Sequence, residues 1–131
     1  MKRNTLIGSG AALAAVAAAA VVAVPVTAGA TSAHGAKATA KHITVADDYF
    51  SKSNLKIKKG GAVNFVWSPQ NFESHNVTLV KGPKGVKHGQ FTSVTGSTGI
   101  RFKRTFKKPG VYHFICTIHP GTMILTLTVS K

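Results

Sequence analysis

Gly110-Val111-Tyr112-His113-Phe114-Ile115-Cys116-Thr117-Ile118-His119-Pro120-Gly121-Thr122-Met123-Ile124-Leu125-Thr126-Leu127-Thr128-Val129 holds two alternating apolar runs separated by a six-residue segment rich in turn formers. Side chains two apart on a strand share a face. Tyr112, Phe114 and Cys116 therefore form one row, and Met123, Leu125, Leu127 and Val129 form another. The apolar row marks the inside. A strand ending on Cys116 and a returning strand opening on Met123 bring both sulfurs to one pole of a β-structure. A third row, His75, Val77 and Leu79, begins with an imidazole. It reaches the same pole if its strand runs in the direction of the last one.

Outward from these runs the pattern stays short and alternating. Strands are expected at 42–46, 54–58, 62–68, 75–81, 90–95, 100–106, 111–116 and 123–130, with no stretch of sustained helical period. Turns fall at Lys59-Gly60-Gly61, at Lys81-Gly82-Pro83-Lys84-Gly85 and at Lys108-Pro109-Gly110. Seven or eight strands in one short domain predict an all-β fold, a two-sheet antiparallel sandwich with Greek-key connections. One run reads less cleanly. The parity that aligns Phe102 with Phe106 also turns Arg104 inward, which requires a bulge, an edge position or a different register.

The chain opens with Lys2 and Arg3, followed by 19 residues from Leu6 to Val24 that carry no charge. Ala28-Gly29-Ala30 ends this stretch with the small-x-small pattern of a cleavage site, so residues 1–30 read as a secretory signal peptide. An uncleaved membrane anchor is the alternative, since about 20 apolar residues span a bilayer. Residues 31–41 are small and polar and read as a flexible arm, leaving 42–131 as a single domain. Either reading of the leader places the domain outside the cytoplasm: periplasmic, extracellular or envelope-associated.

The whole chain has 17 Lys and Arg against three acids, Asp47, Asp48 and Glu73. Loss of Lys2 and Arg3 with the leader leaves 15 basic residues and a formal balance of +12. Inside a cell such a surface suggests nucleic acid; export argues against it and favours an acidic protein partner or an anionic envelope surface. Solubilisation alone is the plainer reading of the same charge. The sole cysteine, Cys116, rules out an internal disulfide. A free thiol in an oxidising compartment is exposed to oxidation unless it is buried and inert or held by a metal.

Cys116, His119 and Met123 place a thiol, an imidazole and a thioether within eight residues. That set selects a soft metal over calcium or magnesium, which want oxygen ligands. Zinc rarely recruits methionine, so the thioether tilts the choice to copper. With His75 the set becomes two imidazoles and a thiolate with a weak axial thioether, the arrangement of electron-transfer copper sites. Each residue alone has a bland reading as core filler, loop histidine or strand-end polar group; their combination at Cys-x2-His-x3-Met after an aromatic strand is specific. His88, His113 and His42 fall in loop, outward and strand-start positions. His34 would acquire a copper-binding amine only if cleavage fell after Ala33.

Over residues 42–131 the chain resembles the cupredoxin family, particularly its plastocyanin, amicyanin and pseudoazurin group. The likeness rests on Gly60-Gly61-Ala62-Val63-Asn64-Phe65, His75-Asn76-Val77, Lys108-Pro109-Gly110-Val111-Tyr112-His113-Phe114 and the Cys116 loop. It implies a Greek-key sandwich with one copper ion near a pole, bound by His75, Cys116, His119 and Met123. It also implies that Asn76 ties its strand to the cysteine loop and tunes the thiolate, with Thr117 and Pro120 in the same supporting layer. Electrons are expected to leave through His119, because the position before Cys116 holds Ile115 rather than an aromatic. Two departures stand out: three residues separate His119 from Met123, and Leu125 occupies a position that is glycine in many members.

The resulting expectation is a monomeric, non-enzymatic blue-copper carrier that passes single electrons between redox-partner proteins. Copper delivery with the same ligands is the rival reading. A fragment of a multicopper oxidase or nitrite reductase would need further paired histidines, and the chain has neither His-x-His nor His-Cys-His. A basic polyanion-binding module would be indifferent to loss of Cys116.

Overall fold

The computed structural model describes residues 39–131. The expected leader, 1–30, and most of the arm, 31–41, lie outside the described residues. Within them the alternating runs become eight strands and one short 3-10 turn: β1 Lys41–Ala46, β2 Tyr49–Phe50, β3 Asn54–Lys58, β4 Ala62–Trp67, β5 Thr78–Lys81, the turn His88–Phe91, β6 Arg101–Thr105, β7 Gly110–Ile115 and β8 Ile124–Ser130.

They form two four-stranded sheets, ordered β2-β1-β4-β6 and β3-β8-β7-β5. The sandwich is as expected, but its sheets are mixed rather than wholly antiparallel, because β1 pairs with β4 and β3 with β8 in parallel. The chain path supplies the reason. Between β1 and β4 it crosses to the other sheet for β3 and returns, so β4 enters from the same end as β1.

The inward rows meet between the sheets. Ile43, Val45, Val63, Phe65 and Trp67 from one sheet face Leu79, Tyr112, Phe114, Leu125, Leu127 and Val129 from the other, all of them buried. Phe114 bridges the layers, with its ring 5.8 Å from Phe65 and 6.2 Å from Phe106. Offset and edge-on ring pairs at these distances add to the burial term. Leu125 is fully buried opposite Phe114 and belongs to this core. Tyr112 closes the far end, donating its hydroxyl to the Lys108 carbonyl at 2.8 Å, as in the tyrosine corner of other sandwiches. At the start of β7, Gly110 has φ +138, and a Cβ there would lie 2.5 Å from the Pro83 ring, so glycine is needed.

Two expected strands are corrected. The run 90–95 is not a strand: the 3-10 turn tucks Phe91 against Phe106 and Tyr112, at 5.1 and 5.8 Å. Beyond it only isolated bridges form, Thr78 with Thr92 and His75 with Gly96. The run 75–81 shortens accordingly to β5, with His75 in the loop before it. The ambiguity at Arg104 resolves as an edge: β6 ends its sheet, and the guanidinium turns back 4.1 Å over the Phe102 ring, covering apolar surface while its charge reaches water.

Candidate metal centre

β5 and β8 both run antiparallel to β7, so their first ends lie at the pole where β7 finishes. Three loops meet there. The loop between β7 and β8 is pinched by a hydrogen bond from the Cys116 amide to the Met123 carbonyl at 3.1 Å. Its tip turns at His119, whose carbonyl accepts from the Met123 amide at 3.0 Å. The loop before β5 is pinned by a reciprocal backbone pair between His75 and Gly96, 3.0 and 3.1 Å, and by the Trp67 indole N–H on the His75 carbonyl at 3.2 Å. The third is the two-residue turn Asp47-Asp48 between β1 and β2.

His75, Cys116 and Met123 have no exposed surface, while the His119 side chain keeps 20% of its own. One donor atom from each of His75, Cys116 and His119 lies within 4.8 Å of the other two. His75 Nδ1 stands 4.0 Å from Cys116 Sγ. Met123 sits at the foot of β8 in the same buried cluster as Cys116. Pro120, next to His119, is exposed.

Around these donors Asn76 acts as a clamp. Its Nδ2 donates to Thr117 Oγ1 at 2.7 Å and to Thr95 Oγ1 at 3.1 Å. Its Oδ1 accepts from the Thr117 amide at 3.0 Å and the Thr78 hydroxyl at 3.1 Å. Its own amide points at Cys116 Sγ, 3.4 Å away. Through these bonds Asn76 links the loop before β5 to the loop that carries Cys116 and Thr117.

The carboxylates are the part that sequence reasoning missed. Asp47 Oδ1 is 2.8 Å from His75 Nε2; Glu73 Oε2 is 2.8 Å and Asp48 Oδ1 3.7 Å from His119 Nε2. Asp47 also accepts from the Phe72 amide at 3.0 Å and the Glu73 amide at 3.2 Å. The hydrogen bond from His75 is the largest cause, with those two amides adding to it, of an Asp47 carboxyl held below the ordinary aspartate value. The available signal was the rarity of acids in this chain and the position of one of them two residues before His75.

An ionised carboxylate only accepts hydrogen bonds, so the Nε2 atoms at 2.8 Å must carry the ring protons. In the neutral ring each Nδ1 then presents a lone pair. His119 Nδ1 is buried without any hydrogen-bond partner, a vacancy that a buried polar atom rarely tolerates. A metal answers it. The 4.0 Å between His75 Nδ1 and Cys116 Sγ is a separation that one ion held by both would bridge. Two imidazoles and a thiolate buried at one pole of an all-β sandwich suit copper.

Fold and donor set together define a cupredoxin. The chain matches the family of copper binding proteins described as the plastocyanin/azurin family over residues 36–130, and it belongs to that family; its cofactor is copper. Among solved structures it is similar to a purple cupredoxin from Nitrosopumilus maritimus, with 26% identity, TM-score 0.57 and coverage of 69% of this chain and 99% of that one. A pseudoazurin from Sinorhizobium meliltoi shares 25% identity at TM-score 0.55, over 70% and 73% of the two chains. A copper-containing nitrite reductase from Thermus scotoductus shares 26% identity at TM-score 0.58 over 71% of this chain, which spans only 23% of that enzyme's length. No curated protein matches the chain.

Proposed function

We propose that this protein is a type 1 copper carrier that passes single electrons between redox-partner proteins outside the cytoplasm, with His75, Cys116, His119 and Met123 as the ligands. The observation that carries the reading is that His119, whose Nδ1 is buried without a hydrogen-bond partner, has a ring nitrogen within 4.8 Å of donor atoms of His75 and of the only cysteine. Bound copper supplies a one-electron couple; the rest is done by the chain. Burial of His75, Cys116 and Met123 excludes water and outside ligands, and the Asn76 clamp keeps the thiol-bearing loop in place between oxidation states.

His119 alone among the four keeps an exposed edge, so its ring is the exit for the electron. Phe72, 95% exposed, and Ile118 stand next in sequence to Glu73 and His119 and supply apolar surface for docking. A proposed set of four protein donors, which would leave the ion no open coordination position for substrate, supports carrier rather than enzyme. The pseudoazurin and the purple cupredoxin are matched over most of their length, whereas the nitrite reductase is matched over a small part of its own. Export rests on the leader at 1–30, followed by the arm at 31–41 and the domain at 42–131, and the cationic balance supports acidic partners or an anionic envelope surface reached by a monomer.

The test is to add Cu(II) to the purified protein and record visible and electron paramagnetic resonance spectra. An intense blue thiolate band, lost in Cys116→Ser, is expected. A pale, readily exchanged copper would refute the carrier and favour delivery.

A further inference from the structure

In a chain with 17 Lys and Arg, the three carboxylates have an abundance of cationic partners to choose from. Yet every ion pair they make among the described residues is with His75 or His119. Asp47 is the most fully built of them, with three hydrogen bonds: from His75 Nε2 and from the amides of Phe72 and Glu73. It therefore does two things at once. It ties the end of β1 to the loop that carries His75, and it holds a negative charge against the far nitrogen of that ring.

Resting on the ligand assignment above, the geometry points to Asp47 as a positioning residue that fixes the His75 ring with Nδ1 toward Cys116 and favours Cu(II) over Cu(I) at this centre. The physical reason is that a carboxylate accepting from Nε2–H makes the imidazole a stronger donor, and a stronger donor with a nearby negative charge stabilises the more highly charged oxidation state. Glu73 holds His119 in the same way, but its side chain is 56% exposed, so water can replace much of its effect.

Two substitutions separate charge from geometry. Asp47→Asn keeps an oxygen for His75 and removes the charge, whereas Asp47→Ala removes both. The ring proton is located by long-range proton–nitrogen correlation in the metal-free full chain, and the potential by spectroelectrochemistry after Cu(II) loading. Wild type and Asp47→Asn should keep the His75 proton on Nε2, and Asp47→Ala should lose that preference. Asp47→Asn should weaken Cu(II) about tenfold relative to Cu(I), within the range seen when carboxylate partners of metal-binding histidines are removed. For a one-electron couple that raises the potential by about 59 mV.

A change below twofold, about 18 mV, would overturn the electrostatic role and leave Asp47 as a structural tie. A His75 proton unmoved by Asp47→Ala would overturn the positioning role. If wild type formed no thiolate–copper band, the ligand assignment itself would fall, while the metal-free ring measurement would still decide whether Asp47 sets the face of His75.

Discussion

Replacing Asn76 by alanine tests whether the pole is held by side-chain hydrogen bonds or by the sheets alone. The amide makes four of them, two as donor and two as acceptor, from a position that is 6% exposed. At about 0.5–1.5 kcal/mol each the set is worth about 2–6 kcal/mol. The Thr95 and Thr117 side chains are exposed enough to turn to water, while the Thr117 amide loses its acceptor outright. The lower part of the range follows, about 2–3 kcal/mol, or roughly 8–24 °C in melting temperature for a domain of this size. Urea unfolding of the metal-free protein, with Thr95→Ala as a single-bond comparison expected to cost about 0.5–1 kcal/mol, provides the measurement. An Asn76→Ala variant within about 0.5 kcal/mol of wild type, below the worth of even one such bond, would refute the clamp.

Two further outcomes concern the core. Phe114→Ala empties the point where the sheets meet and should cost about 3–5 kcal/mol, visible as a lower denaturant midpoint with little change in slope. Tyr112→Phe removes the hydrogen bond to Lys108 and should cost about 1 kcal/mol. Burial raises the Tyr112 phenol above its ordinary value, so folding favours the neutral form. The stability tied to that group is therefore intact below about pH 10 and lost as pH rises through the raised folded value. Alkaline unfolding should begin later in Tyr112→Phe than in wild type relative to their neutral stabilities; identical alkaline profiles would argue against it.

Much of the pole was legible from local pattern. The rows Tyr112-Phe114-Cys116 and Met123-Leu125-Leu127-Val129 fall inward as parity requires, because the two-residue period of a strand leaves no other way to bury them. Direction was legible as well, since a tight return between Cys116 and Met123 forces both to one end. Legibility failed where a segment's state is decided by what packs on it. The run 90–95 alternates well enough for a strand, yet Phe91 finds its place against Phe106 and Tyr112 through a 3-10 turn. Arg104 looked misplaced only until an edge position allowed its guanidinium to cover Phe102.

Strand parity, the lone cysteine and the spacing of soft donors were thus settled by the order of residues, because each depends on neighbours a few positions away. The parallel pairings of β1 with β4 and β3 with β8, and the meeting of Asp47 and Glu73 with the Nε2 atoms of His75 and His119, depended on the three-dimensional path. Those partners come together only when distant loops share a pole, and a charge dozens of residues away acts on a ring through space.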